Sequence, residues 1–104
     1  MFSFIETKLF TRLIQQYLSE EEYAELQSFL IHNPQAGDIV PGSGGLRKLR
    51  WRGKGRGKRG GFRVIYYTRT TQGQIWMLTI YPKSMTGTIP AHILRQIRKE
   101  IEDA

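Results

Sequence analysis

The chain has 104 residues and no cysteine, and its 16 basic and 9 acidic side chains give a formal net charge of +7. The lack of cysteine excludes disulfide frameworks and thiolate metal sites, and it favours a reducing compartment. The length and a hydrophobic content of 39% predict one folded domain over residues 1–104. The N-terminus lacks a signal-peptide pattern, and no apolar run approaches the roughly 20 residues of a membrane span. We therefore expect a cytoplasmic protein with no membrane partner.

Charge is unevenly distributed along the chain. No aspartate or glutamate lies between Asp38 and Glu100, and residues 47–63 include nine basic side chains among seventeen residues. This density of like charge destabilises a compact state through self-repulsion unless an anion neutralises it. A nucleic acid is the polyanion that such a surface fits best.

The N-terminal third predicts a short strand followed by two helices. Residues 2–5 are apolar and aromatic, which is typical of an edge strand. Apolar residues then recur at helical spacing over residues 9–18 and again over residues 23–30. Between these stretches, Ser19 and Glu22 have the spacing of a capping box, in which each side chain accepts from the other residue's backbone N–H. The second helix therefore begins at this serine.

A strand with one cationic side follows a loop rich in glycine and proline. Residues 35–45 predict the loop, with a short extended piece at Ile39 and Val40. Residues 46–52 alternate between apolar and basic side chains, so they form a half-buried strand. Its solvent side carries three basic residues, which are Lys48, Arg50 and Arg52.

Two further strands and a helix complete the pattern. Residues 53–61 alternate glycine with lysine and arginine, which predicts a flexible cationic loop. Residues 63–68 and 74–81 are rich in β-forming side chains, and the turn at residues 70–73 between them predicts a hairpin. The last strand is apolar on both faces, which predicts an interior position in the sheet. A final helix begins near Pro90.

This order of elements predicts an α+β fold. Three consecutive strands form an antiparallel sheet, accompanied by two N-terminal helices and one C-terminal helix. We expect all the helices to pack on one face of this sheet. The opposite face, with its basic strand residues, would then be open to a ligand.

The residue types on this surface exclude several common mechanisms. The strand region has no paired carboxylates, so it offers no ligands for a Mg²⁺-dependent nuclease, and we expect neither a metal nor a cofactor. His32 and His92 lie at predicted helix ends, where we expect surface roles. RNA, however, carries its own nucleophile, the 2′-hydroxyl. An enzyme need only orient it, transfer its protons and neutralise the phosphoryl oxygens.

Basic side chains are suited to each of these tasks. Arg63 begins a strand, and its planar guanidinium suits a phosphate clamp. Phe62 and Tyr81 flank strand breaks and are candidates for base stacking. The same residues could equally form a solvated basic face that binds RNA without cutting it. Neighbouring positive charge favours a neutral amine, so four lysines are candidates for proton transfer: Lys48, Lys54, Lys58 and Lys83.

Three segments are more specific in combination than any one of them is alone. They are Gly44-Gly45-Leu46-Arg47-Lys48, Gly57-Lys58-Arg59-Gly60-Gly61-Phe62-Arg63 and Ile80-Tyr81-Pro82-Lys83. Together they resemble the RelE/HigB toxins, and more narrowly the HigB branch related to phage proteins. The resemblance covers nearly the whole chain. It implies a RelE-like microbial-RNase fold, with residues 1–104 as a single RelE/HigB-like toxin domain.

The resemblance also implies an activity, partners and roles. Toxins of this family are ribosome-dependent mRNA endoribonucleases, or mRNA interferases, which cut mRNA in the ribosomal A site and so inhibit translation. An antitoxin holds them silent, and in this branch it resembles a helix-turn-helix DNA-binding protein. The family's arginine for the scissile phosphate matches Arg63, its basic residues on the preceding strand match Lys48 and Arg50, and its basic residue after the last strand matches Lys83. We expect these four to be catalytic and the following residues to bind RNA: Arg47, Arg52, Lys54, Arg56, Lys58, Arg59 and Tyr81.

Two other functions remain open for the same residues. A non-catalytic nucleic-acid-binding module predicts that Arg63→Ala weakens binding by a modest, salt-dependent amount. A gyrase-directed toxin on the same fold would act through DNA damage rather than through mRNA.

Overall fold

The computed structural model describes residues 2–52, 61–85 and 89–103, and within these ranges the architecture is α+β, as predicted. Its strands form one sheet in the order β1-β5-β4-β3-β2. None of the helices in these ranges is long and apolar enough to cross a lipid bilayer. Along the chain the elements are β1 (Ser3–Glu6), α1 (Lys8–Tyr17), α2 (Glu20–His32), β2 (Asp38–Ile39), β3 (Arg47–Trp51), β4 (Phe62–Arg69), β5 (Gln74–Pro82) and α3 (Ala91–Asp103).

Side-chain caps separate the first two helices. The predicted capping box is confirmed: the Glu22 N–H donates to Ser19 Oγ at 3.1 Å, and the Ser19 N–H donates to Glu22 Oε1 at 2.9 Å. Thr7 caps α1 in a similar way, because its Oγ1 accepts from the Phe10 N–H at 3.0 Å. The same hydroxyl donates to the Leu78 carbonyl at 2.7 Å and so ties the start of α1 to β5.

The sheet is mixed rather than wholly antiparallel. β3, β4 and β5 form the predicted antiparallel meander, and a short 3₁₀ turn at Thr70–Gln72 joins the last two strands. Gly73 closes that turn with a φ of 64°, a conformation that favours glycine. β1, however, pairs parallel to β5. The prediction missed this because parallel neighbours need a long connection, and here the helices and three strands intervene.

The helices pack on both faces of the sheet, so the prediction that they share one face was wrong. One core lies under α1 and α2, where Phe10 and Leu26 pack with the strand residue Val64. A second core lies under α3, where Leu94 packs with Ile65. β4 and β5 are therefore buried on both sides, which confirms the interior position predicted for β5.

Helix α3 covers only one end of its face of the sheet. Arg98 of α3 lies over the backbone of Gly44, where an added Cβ would come within 2.6 Å of the Arg98 Nε. Arg69 Nη1 donates to the Ile101 carbonyl at 3.0 Å and so holds the C-terminal turn of α3 to β4. The other end of this face carries exposed basic residues, so it is open to solvent, and it contains the candidate site.

Candidate nucleic-acid interface

The strand register brings two arginines and a tyrosine into one row. Arg50 of β3 is paired with Arg63 of β4, and Arg63 is paired with Tyr81 of β5. Side chains of directly opposed residues lie on the same face, with Cβ atoms about 4.5–5.5 Å apart. Three residues that are far apart in sequence therefore form a continuous strip.

A bulge in β5 is what places Tyr81 in this row. Ile65 is paired with Thr79 but Tyr66 with Met77, so Leu78 is the extra residue. An extra residue shifts the alternation of side chains by one. Beyond the bulge, Tyr81 consequently lies on the α3 face rather than on the α1–α2 face.

Two lysines flank the row along the strand direction. Lys48 lies two residues before Arg50, and it is paired with Ile65. Lys83 lies two residues after Tyr81, and its backbone N–H donates to the Gly61 carbonyl at 3.0 Å. A strand advances about 3.3 Å per residue, so each lysine backbone is roughly 7 Å from the row, on opposite sides.

Gly61 allows this close approach at the end of the row. Its φ is 66°, and a Cβ there would lie 2.5 Å from the Trp51 carbonyl oxygen. Only glycine fits the backbone at this point without displacement. The residue therefore holds the end of β4 against the ends of β3 and β5, next to Lys83.

The candidate cations differ in exposure. Lys48, Arg50, Arg52 and Lys83 are exposed, whereas Arg63 is half-buried. The Arg63 Nη1 lies 3.4 Å from the Phe62 carbonyl, which is a long hydrogen bond. Partial burial restrains this side chain more than its neighbours, which suits a fixed clamp.

The Tyr81 hydroxyl is protonated at neutral pH. Burial raises the pKa of the Tyr81 hydroxyl, and the positive charge of Arg63 opposes this shift without cancelling it. The phenol therefore stays protonated and can donate a hydrogen bond.

Phe62, the other predicted stacking residue, is 7% exposed, and the centroid of its ring lies 5.4 Å from that of Tyr17. The prediction that Phe62 stacks on a base was wrong, because this ring is part of the core.

Arg47 lies apart from the other predicted RNA-binding residues. Its Nη1 donates to the Gly37 carbonyl at 2.8 Å and to the Gln35 carbonyl at 3.2 Å. Arg47 shares the α1–α2 face with its strand partner Tyr66. The structure thus places its guanidinium on loop carbonyls rather than beside Arg63.

Four predicted RNA-binding residues lie outside the described part of the chain, namely Lys54, Arg56, Lys58 and Arg59.

Asp38 is a residue of this face that sequence reasoning missed. It belongs to β2 and is paired directly with Lys48. The sequence predicted the extended piece one residue later, at Ile39 and Val40, and so did not place this carboxylate beside a strand. Asp38 is exposed, and it brings a negative charge to the edge of a face that is otherwise cationic.

A cleft opens between the row and the start of α3. Its empty volume is about 340 Å³ and opens to solvent. Lys48 and Tyr81 supply the polar groups at its surface. Its remaining lining is aliphatic and comes from three separate segments of the chain: Val40, Ile65, and Ile89 with Leu94.

The described residues place no group of three or more histidine, aspartate or glutamate side chains where it could hold a metal ion.

The sequence matches no protein-family model. Among solved structures, the chain is similar to the archaeal RelE–RelB complex from Pyrococcus horikoshii OT3, with 20% sequence identity and a TM-score of 0.49. The match covers 82% of this chain and 98% of that chain.

Proposed function

We propose that this protein is the toxin of a toxin–antitoxin system, of the RelE/HigB type and its HigB branch, and that it is a ribosome-dependent mRNA endoribonuclease. The observation that carries the proposal is the row of Arg50, Arg63 and Tyr81 with a lysine on each side. Two guanidiniums side by side repel each other unless an anion lies between them. A phosphodiester is an anion of the right size and charge.

In the proposed reaction Arg63 and Arg50 bind the non-bridging oxygens of the scissile phosphate. The 2′-oxygen of the preceding nucleotide forms a bond to phosphorus while the bond from phosphorus to the 5′-oxygen breaks. The products are a 2′,3′-cyclic phosphate and a 5′-hydroxyl. One proton leaves the 2′-hydroxyl and one is added to the 5′-oxygen, so the proton count balances without a metal ion.

The two lysines suit the two proton transfers because they flank the row. The attacking and leaving oxygens of a phosphoryl transfer lie roughly in line on opposite sides of phosphorus. Lys48 and Lys83 lie on opposite sides of Arg63 along the strands. We assign the proton transfers to this pair, with the protonated Tyr81 hydroxyl as a further hydrogen-bond donor to the phosphate.

The remaining predicted contacts extend the interface beyond the scissile phosphate. Arg52 continues the basic side of β3 and would bind a neighbouring phosphate. The cationic segment at residues 53–61 would contact mRNA or ribosomal RNA. We further propose that residues 1–104 act as one toxin domain in the cytoplasm, and that an antitoxin of the helix-turn-helix type blocks this face.

Mapping of mRNA 5′ ends in cells is the experiment that tests the proposal. Induced wild-type protein should produce cuts on translated messages in phase with codons. Arg63→Ala should lose these cuts, since the clamp is gone. Arg12→Ala is the matched control because this exposed arginine lies on α1, on the opposite side of the sheet, and it should cut like the wild type.

The chemistry of the cut ends gives a second, independent readout. Attack by the 2′-oxygen leaves a 5′-hydroxyl, so the downstream fragments should become ligatable only after treatment with a kinase. Fragments with a 5′-phosphate, or intact transcripts after incubation of purified protein with translating ribosomes, would contradict the proposal.

The two alternatives give different outcomes in the same cells. A non-catalytic binding module leaves transcripts uncut, and its Arg63→Ala variant loses only a salt-dependent part of its affinity. A gyrase-directed toxin induces a DNA-damage response before translation stops. Arrest of translation before any such response excludes it.

A further inference from the structure

We infer that the outer side of α3 is a second RNA-binding surface, which docks the protein on base-paired ribosomal RNA. The surface consists of three exposed side chains, which we call the α3 stripe: His92, Arg95 and Lys99. This inference deepens the proposed function by naming a partner surface, and it rests on that function.

The residues of the α3 stripe lie on one side of the helix. Residues three, four and seven positions apart in an α-helix share a face, and His92, Arg95 and Lys99 have these spacings. The opposite side of α3 packs on the sheet, where Leu94 and Ile101 are buried. The α3 stripe therefore points away from the sheet, over a length of about 10 Å.

The positive charge of the α3 stripe is not neutralised within the described residues. Arg98, which lies over Gly44 on the sheet side of α3, forms an ion pair with Glu102. Neither Arg95 nor Lys99 pairs with a carboxylate in the described part of the chain. Because the helix backbone is already ordered, binding of an anion here costs little conformational entropy beyond that of the side chains.

Helix α3 leads away from the row along the sheet. Its start borders the row, because Leu94 lines the same cleft as Tyr81. Its last turn is held at the other end of β4, where Arg69 Nη1 donates to the Ile101 carbonyl. The stretch of β4 between Arg63 and Arg69 spans about 20 Å. The row and the α3 stripe therefore lie on the same side of the molecule, far enough apart to contact two separate segments of RNA.

The opposite side of the molecule is unsuited to RNA. Helix α2 packs on the other face of the sheet, and its sequence contains no lysine or arginine. Its exposed residues Glu20 and Glu21 add negative charge to that side. The electrostatic field therefore steers a polyanion to the side of the row and the α3 stripe.

The composition of the α3 stripe favours the backbone of base-paired RNA. A protein interface has an apolar or aromatic centre, and unpaired bases stack on aromatic side chains. The stripe contains no apolar residue, and α3 contains no phenylalanine, tyrosine or tryptophan. Double-stranded RNA is recognised mostly through its phosphates and 2′-hydroxyls, which basic hydrogen-bond donors can contact. In the proposed function, ribosomal RNA supplies such duplexes.

A pair of matched double variants tests this surface. Arg95→Gln with Lys99→Gln removes two charges from the α3 stripe, whereas Lys8→Gln with Arg12→Gln removes two from exposed positions of α1. Fluorescence anisotropy would measure the affinity for an RNA hairpin and for an unpaired RNA of the same length. The α3 variant should bind the hairpin about thirtyfold more weakly at about 0.15 M salt, and the slope of log K against log salt should fall by about 2. The same variant should lose less than about threefold on the unpaired RNA, and the α1 variant should bind both ligands like the wild type.

Three results would overturn the inference. Equal losses in the two variants would make net charge the cause, and no loss in the α3 variant would leave the stripe as a solvated surface. An equal loss for the hairpin and the unpaired RNA would remove the preference for duplexes. Circular dichroism checks that the α3 variant keeps its helix content, as expected because glutamine is a good helix former.

Cleavage of ribosome-bound mRNA separates this surface from the row. The α3 variant should need about tenfold more protein for half-maximal cleavage, with an unchanged maximal rate, because the stripe binds RNA away from the scissile phosphate. A lower maximal rate at saturating protein would contradict a role in docking alone. Failure of the proposed function is a separate result, because a wild type that cuts no RNA would still bind the hairpin through the α3 stripe.

Discussion

Arg50 and Arg63 are direct partners across β3 and β4, so both side chains project from the same face of the sheet. Arg63 is the more buried of the two, and its other neighbour is Tyr81. No carboxylate of the described residues pairs with either arginine. The anion site that we propose here would therefore have a cost in stability while no anion is bound.

Neutralising one of these arginines should stabilise the free protein. Like charges directly opposite each other in a sheet are destabilising, so Arg50→Gln should raise the free energy of unfolding by about 0.5 kcal/mol at low salt. The gain should disappear at about 0.5 M salt, because screening removes the repulsion. Urea unfolding at low and at high salt measures both the gain in unfolding free energy and its loss. Arg12→Gln, on the exposed side of α1, should change neither value, and a gain for that variant would show that net charge alone is responsible.

Removing the carboxylate beside Lys48 should strengthen RNA binding. Asp38 is paired with Lys48 and repels a phosphate that approaches the row. Asp38→Asn should therefore raise the affinity for single-stranded RNA about threefold at low salt, with a smaller gain at high salt. Fluorescence anisotropy gives the affinity, and Glu21→Gln on the exposed side of α2 is the control. A hundredfold fall in cleavage by Asp38→Asn would instead identify this residue as the general base.

The Tyr66 hydroxyl should be important for stability. It donates to the Pro34 carbonyl at 2.9 Å and accepts from the Gly37 N–H at 2.9 Å, and the residue is 0% exposed. Tyr66→Phe leaves these buried groups without a partner, so it should cost about 1–3 kcal/mol of unfolding free energy. Tyr67→Phe is the matched control because the Tyr67 hydroxyl makes a longer, exposed bond of 3.3 Å to Glu102. Equal losses in the two variants would contradict the argument.

Tyr23 should make the stability sensitive to alkaline pH. Burial, followed by the 2.6 Å hydrogen bond to Glu6, raises the pKa of the Tyr23 hydroxyl above its usual value of 10.0. Because the pKa is raised in the folded state, this contribution to stability is fully present below about pH 10 and is lost as the pH rises further. The difference in unfolding free energy between the wild type and Tyr23→Phe should stay constant from about pH 7 to 9 and shrink above about pH 10. Parallel stability curves up to about pH 11 would contradict this assignment.

Local signals in the sequence were sufficient for the boundaries of most elements. Ser19 and Glu22 form the predicted capping box because the motif needs only residues three apart. The alternation in β3 correctly separated the buried Leu49 from the exposed Lys48 and Arg50. In both cases the physical cause lies within a few residues of its effect. Sequence reasoning therefore identified the α+β class and the basic side of β3.

Relations between distant segments required the tertiary structure. The four residues of β1 do not specify whether this strand pairs parallel or antiparallel to β5. The sequence of α3 likewise does not specify which face of the sheet it covers. The register of Tyr81 is the clearest case, because the bulge at Leu78 reverses which residues of β5 face the arginines. The alternation of side chains in the sequence cannot reveal a bulge of this kind, because packing on both faces of the sheet offsets the free-energy cost of the extra residue. The order of residues is enough to say which side chains carry charge, whereas the long-range pairing of strands sets which of them meet.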